Sequence, residues 1–419
     1  MPAQETEMRA YPESDVVPVD DEAPPTPGYA IQGSGFRFQD WRSELLLGLG
    51  IVIALRVVLS AWAAFVLASM PAPDLQAQGV NAGITLQSGT LAAPWQREDA
   101  LWYEKIATRG YDPNDGSTAF LPLLPLLMRL ASVATLGDAA LAGIVVSSLA
   151  VAVAFALFNR LAALDTRKDV AARAVLYLAL FPTAFFLYSA FTESLFLALA
   201  IGAFWQARHG RWALVVLLAL LAGLTKVQGA LLCLPLAVEY LASVGWKWSA
   251  LRGRAAEFAS VVLAGPLGTL AFFAFTRYVV GDPMPWNSRV AAMWNFHSAW
   301  PGETLAASVG KVLSDGLTIN AFDLAVLLLF GALAYGAFRM RLSYGLVAVA
   351  ALGPSLLRVN ELFPLMSLSR YALAAFPCFI VLAVWVDKRP RIVHLALIAV
   401  WLGLMLVWSS QFVRGFWVG

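Results

Sequence analysis

The sequence is short of charge, cysteine and histidine, and each shortage closes off a class of function. Only 13% of its 419 residues are charged and 60% are hydrophobic, whereas soluble domains carry about a quarter charged residues. One water-surrounded core cannot hide that much apolar surface, so lipid must be the solvent for most of the chain. Two cysteines, Cys233 and Cys378, both inside apolar runs, exclude a disulfide framework and read as small packing residues. Three scattered histidines, His209, His297 and His394, form no metal-ligand cluster. A formal net charge of +2 gives no reason to expect a nucleic acid partner. No glycine-rich loop stands at a strand–helix junction, so no nucleotide donor is expected.

What is present falls into two materials. Residues 1 to about 40 hold six prolines and mostly acidic charge, including Glu5, Glu7, Glu13, Asp15, Asp20, Asp21 and Glu22. Such a segment buries too little apolar area to offset its ordering entropy and reads as a disordered cytoplasmic tail. It lacks the basic start and apolar core of a cleavable signal, so the first membrane helix is expected to direct insertion. The remainder, 41–419, carries apolar runs at about 44–68, 139–159, 172–190, 194–207, 212–225, 229–243, 257–277, 321–338, 342–357, 371–386 and 392–412. These predict an all-α polytopic transmembrane bundle of about eleven helices. A further stretch, 118–136, contains Pro122, Pro125 and Arg129 and is placed at the interface.

The basic residues orient the bundle. With the N-terminus inside, Arg160, Arg167, Lys168 and Arg173 share one inside loop; Arg208 and Arg211 share another. Lys247, Arg252 and Arg254, then Arg339 and Arg341, then Lys388, Arg389 and Arg391 fall inside as well, as the positive-inside rule requires. Counting 118–136 as a span would reverse every later loop. Two long loops, about 69–138 and 278–320, then face out, each far longer than a helix hairpin needs. The runs 212–225 and 229–243 reach only roughly 21–23 Å at 1.5 Å per residue, against a hydrocarbon core about 30 Å thick. Their tip, Thr225-Lys226-Val227-Gln228-Gly229, and the tip carrying Thr192 and Glu193 are therefore expected below the membrane surface. Ionisable groups there mark a candidate site, although a Glu193–Lys226 pair that only braces the bundle is the plainer alternative.

In the first outer loop, a helical reading of 95–107 sets Asp99, Trp102 and Tyr103 on one face at i, i+3 and i+4. A carboxylate beside aromatic rings suits sugar chemistry, with rings on the pyranose C–H face and the carboxylate as general base. A solvated acidic turn on an interfacial helix carries equal weight. Arg358, Glu361, Ser369, Arg370 and Tyr371 lie in or beside an outer loop, and the Arg370 guanidinium can meet phosphate oxygens with a planar fork of donors. Snorkelling is the alternative there. Arg56, midway along the first helix, costs about 3 kcal/mol on insertion scales and is expected to face a polar partner inside the bundle.

Taken in order, several blocks resemble the PIG-V-type (GPI mannosyltransferase II-like) family of GT-C membrane glycosyltransferases. They are Asp99-Ala100-Leu101-Trp102-Tyr103-Glu104-Lys105, Ala119-Phe120-Leu121-Pro122, Phe181-Pro182-Thr183, Tyr188-Ser189-Ala190-Phe191-Thr192-Glu193, Leu224-Thr225-Lys226-Val227-Gln228-Gly229 and Ser369-Arg370-Tyr371. The resemblance implies a mannosyltransferase with a polyprenyl- or dolichyl-phosphate mannose donor, an inverting mechanism and a site on the extracytoplasmic or lumenal face. The family's loop carboxylate, the presumed base, maps to Asp99. The chain departs from the pattern where Glu98 replaces a tryptophan before that aspartate, where Thr225-Lys226-Val227 replaces Thr-Arg-Pro, and where Ser369 replaces a proline. Glu98 thus stays open beside Asp99 as the base.

The site expected on these grounds has Asp99 or Glu98 as base, Arg370, Lys226 and Gln228 at the donor phosphate, and Trp102, Tyr103, Glu193 and Tyr371 around the substrate. No cofactor is expected, although Glu98 and Asp99 offer oxygen ligands to a divalent cation. The partners are the lipid-phosphate sugar, membrane lipid and an acceptor lipid, glycan or protein. The Arg- and Ala-rich composition suits a bacterial cell membrane; a eukaryotic chain would sit in the ER membrane. A transporter or flippase, or a non-catalytic subunit of the same fold, is the competing reading.

Overall fold

The computed structural model describes residues 38–70, 83–84, 91–316 and 318–418, with side chains from 41 onward. Residues 1–37 of the tail expected over 1–40 and parts of the first long loop lie outside the described residues, and 38–40 already belong to the helix Phe38–Ser69. What is described is almost wholly helical, with one pair of two-residue strands, His297–Ser298 and Arg358–Val359, paired antiparallel.

Five described helices are long and apolar enough to cross a membrane: Trp41–Ser69, Ala139–Ala163, Ala255–Val280, Ile319–Met340 and Arg391–Val413. The shortest of them, 22 residues, reaches about 33 Å. The other apolar runs are shorter or broken. Trp212–Gly223, Gln228–Ser243 and Leu342–Leu356 form short apolar helices. The stretch 118–136 holds only the nine-residue helix Leu123–Ala131, about 14 Å long, with Leu126, Leu130, Val133 and Leu136 exposed.

Two runs read as continuous helices are not. The run 172–190 ends its helix, Lys168–Leu180, before Pro182, whose ring forces Phe181 into an extended conformation with ψ 142°. A 3₁₀ turn, Ala184–Tyr188, follows, and a new helix starts at Thr192. The run 371–386 is bent by 82° between Leu368–Ala374 and Phe376–Asp387, where Pro377 withholds a backbone donor. The first break brings Glu193 to the start of a new helix, and the second follows the short helix that carries Arg370.

Glycine sets the closest helix approaches. A Cβ on Gly223 would lie 2.1 Å from the Gly265 carbonyl oxygen, and one on Gly268 would lie 2.4 Å from that of Leu220. Small residues let backbones touch in this way, so the helix from Ala255 is seated against the tip that carries Lys226. Thr269 Oγ1 donates to the Gly223 carbonyl there at 2.8 Å.

Ion pairs join loops at each end of the bundle. At one end Arg208 pairs with Asp165 (3.0 Å), Arg341 with Glu239 (3.1 Å) and Arg173 with Asp387 (2.6 Å). At the other, Arg370 pairs with Asp99 and Lys226 with Glu193. The helix Thr192–Arg208 carries Glu193 in its first turn and Arg208 in its last, about 22 Å apart. Arg56 meets no polar partner of the expected kind. Its guanidinium lies 5.5 Å from the Trp95 ring, and its three nitrogens are buried without a hydrogen-bond partner among the described residues.

Candidate active site

A cavity of about 260 Å³ opens between the two long loops and the helix tips. Its floor and flanks come from Asp99, Tyr103, Lys226, Gln228, Arg370 and Tyr371, and its roof from residues of the second outer loop.

Asp99 opens the helix Asp99–Arg109. The residue before it, Glu98, has φ 49°, a conformation that costs a non-glycine residue about 1–3 kcal/mol. The strain is held by Arg97, whose guanidinium donates to the Val413 carbonyl from Nε (3.0 Å) and Nη2 (2.8 Å), and from Nη1 to the carbonyls of Ala93 (3.0 Å) and Gln96 (2.8 Å). The kink separates the two acids. Asp99 lines the cavity, whereas Glu98 does not and instead accepts from the Val418 N–H at 3.3 Å. Burial pushes the Glu98 carboxyl well above the ordinary range, against the pull of Arg370.

Arg370 reaches the same point from the far end of the sequence. Ser367, at φ 65°, turns the chain into the short helix Leu368–Tyr371. The Ser369 N–H donates to Asp323 (2.9 Å), and Thr183 Oγ1 donates to the Ser369 carbonyl (2.9 Å). So fixed, Arg370 Nη1 donates to Asp99 Oδ2 at 2.9 Å, and its Nε lies 3.2 Å from Glu193 Oε1. Lys226 Nζ donates to that same Glu193 oxygen at 2.6 Å. Glu193 sits in the first turn of its helix, where the dipole favours an anion. It is buried beneath the cavity and is not part of its wall. Lys226 braces Glu193 and lines the cavity as well.

Tyr371 lies under these cations, its ring 4.7 Å from Lys226 Nζ. Its hydroxyl accepts from Arg358 Nη2 at 3.2 Å. Arg358 also lines the cavity, with its guanidinium 4.1 Å from the Phe296 ring. Trp102 differs from expectation. It turns off the Asp99–Tyr103 face to stack on Phe120 (5.6 Å, 15°), with Lys105 Nζ 5.2 Å from its ring, and it lines no part of the cavity. An i, i+3, i+4 face spans about 100° of helix, and Phe120 captures the outer member of it.

Three cations, Lys226, Arg358 and Arg370, thus face two carboxylates, Asp99 and Glu193. One positive charge is in excess in a buried setting, where an unmatched charge is costly. Such a surplus of cations beside a cavity suits a bound anion. Among the described residues no three His, Cys, Asp or Glu side chains converge as a metal site would need, and Glu98 and Asp99 spend their carboxylates on different partners.

Sequence reasoning left the roof unassigned. Trp286, Val290 and Trp294 all line the cavity, and their i, i+4, i+8 spacing is the pattern that could have found them. The sequence marks Arg358 only as a residue in or beside a loop and gives no signal for Asp323.

Fold and cavity together define an integral membrane protein with a charge-lined site between its two long loops. Residues 80–280, just under half of the chain, match the family described as Mannosyltransferase (PIG-V), and over that segment the chain is similar to that family. The matched segment contains Asp99, Glu193 and Lys226; Arg358, Arg370 and Tyr371 lie beyond it. No curated protein matches the chain.

Proposed function

We propose that this protein is an inverting mannosyltransferase of GT-C type that takes mannose from a polyprenyl- or dolichyl-phosphate mannose on the extracytoplasmic face. The observation that carries the reading is the meeting of Asp99 with Lys226, Arg358 and Arg370 around one cavity, one positive charge in excess. A lipid-linked phosphodiester carries one negative charge, which that excess matches; a nucleotide diphosphate sugar carries more. The basic residues, gathered in loops at the opposite end from Asp99, support that face.

In the reaction Asp99 takes the proton of an acceptor hydroxyl. The hydroxyl oxygen bonds to the anomeric carbon as the bond from that carbon to the phosphate oxygen breaks, and the electron pair leaves with the phosphate. The leaving group gains one negative charge in this step while Asp99 loses one. Arg370, bonded to Asp99 at 2.9 Å before reaction, is then drawn from the neutralised acid toward the new dianion. Lys226 and Arg358 stabilise the same charge, in a buried site where fixed donors act most strongly. Glu193 neither binds nor reacts; it aims Arg370 and Lys226.

Asp99→Asn in purified protein tests the reading, with polyprenyl-phosphate mannose and a membrane-extract acceptor pool. Loss of mannose transfer in a protein that still folds supports it. Unchanged transfer would remove Asp99 as the base, and no transfer by the wild type would leave a transporter, flippase or silent subunit as the better account.

A further inference from the structure

The two outer loops are fastened together by a buried ion pair that takes no part in the chemistry above. Asp282 is 1% exposed and receives Arg289 through Nε (2.9 Å) and Nη2 (2.6 Å), the Met284 N–H (2.9 Å) and the Thr118 hydroxyl. Arg289 Nη2 also donates to the Pro113 carbonyl at 2.7 Å. Second-loop Asp282 and Arg289 therefore grip first-loop Pro113 and Thr118. Burial raises the Asp282 carboxyl, but the bonds from Arg289 and Thr118 outweigh it and hold the group down at about 2, so the pair stays charged at any working pH.

The helix Trp286–Trp294 carries both functions on adjacent faces. Trp286, Val290 and Trp294 face the cavity. Arg289 and Met293, on the neighbouring face, lie against the first loop, and Met293 Sδ would sit 2.9 Å from a Cβ on Gly116. Trp286 Nε1 adds a bond to the Ala119 carbonyl at 3.1 Å.

We propose that Asp282 and Arg289 are positioning residues that clasp this helix down as the roof of the cavity and keep water from the reacting carbon. The role rests on the mannosyl-transfer reading. Without the roof, water replaces the acceptor hydroxyl: its oxygen bonds to the anomeric carbon, the carbon–phosphate-oxygen bond breaks, and Asp99 takes the proton. The products are free mannose and polyprenyl phosphate. A closed lid suppresses this side reaction.

The test uses the full chain in lipid nanodiscs, with polyprenyl-phosphate mannose as donor and octyl α-mannoside as a surrogate alcohol. Wild type is compared with Asp282→Asn, Arg289→Lys and the milder Thr118→Val. Expected are a rise of about tenfold in free mannose per mannose transferred for Asp282→Asn, smaller rises for the other two, and faster hydrogen exchange confined to 286–296. An unchanged product ratio, or exchange that rises equally throughout the bundle, overturns the clasp. If wild type neither transfers nor releases mannose, the functional reading falls. Exchange at 286–296 in Asp282→Asn then still decides whether the pair holds the roof.

Discussion

Two buried ion networks sit at the two ends of the helix Thr192–Arg208, and they are built differently. At the Arg208 end, Asp165 accepts from Arg208 Nη1 and Nη2 (both 3.0 Å) and from the Tyr344 hydroxyl (2.6 Å). Glu239 there accepts from Arg341 twice (both 3.1 Å) and from Ser343 (2.5 Å). Two carboxylates meet two arginines, and hydroxyls take up the remaining acceptors. At the Glu193 end three cations meet two carboxylates beside a cavity. A closed network braces; one with charge to spare binds. Burial of charge therefore identifies the site only when combined with imbalance and empty space.

The contrast is sharpest in mutants. Asp99→Asn should lower kcat by about 10²–10⁴-fold, the usual range for a lost general base, with little change in the thermal unfolding midpoint. Glycosyl-transfer assays beside a melting curve check both halves. Arg208→Gln should do the reverse, costing about 3 kcal/mol of stability through the stranded Asp165 while kcat per folded molecule stays at the wild-type value. Equal effects of the two substitutions on turnover would erase the distinction between the ends.

Arg370→Lys and Arg358→Lys keep the charge count and lose the planar fork. Because Arg370 also holds Asp99, its variant should lower kcat; the Arg358 variant should mainly raise the donor KM, by about tenfold. Steady-state kinetics with varied polyprenyl-phosphate mannose separates the two.

Glu98→Gln is expected to have the smallest effect. Burial holds the proton on Glu98 to higher pH than in the unfolded chain. The native state then binds more protons, and stability falls as pH rises past the ordinary carboxylate range. The glutamine variant should flatten that fall while turnover stays near wild type, read as melting midpoints from about pH 5 to about pH 9. A loss of turnover as large as that of Asp99→Asn would make Glu98 the base.

Much of this was legible in the sequence, for reasons that can be stated residue by residue. Asp99, Glu193, Lys226 and Arg370 stood out because a charge in an apolar chain is costly wherever it lies. The short runs around Lys226 gave away a buried tip. Trp102 was misplaced because helical periodicity fixes a face only to within a turn, and Phe120, nine-tenths buried and more, captured the ring. Arg56 was assigned a polar partner and found the Trp95 ring, since guanidinium can rest on an aromatic face. The breaks at Pro182 and Pro377 were present in the letters, yet hydropathy averages across them.

By itself the sequence determined the solvent, the order of apolar segments and the short roster of charges that needed an explanation. These are local properties, set by composition and spacing along a few turns. Only the tertiary structure decided which acid faces the cavity, which cations gather there and what covers them. Asp99 and Arg370 are 271 positions apart, Thr118 and Asp282 164, and hydropathy carries no information about pairings of that range. That Asp99 and not Glu98 lines the cavity goes with one backbone angle at Glu98, beside Arg97, which donates to the Val413 carbonyl.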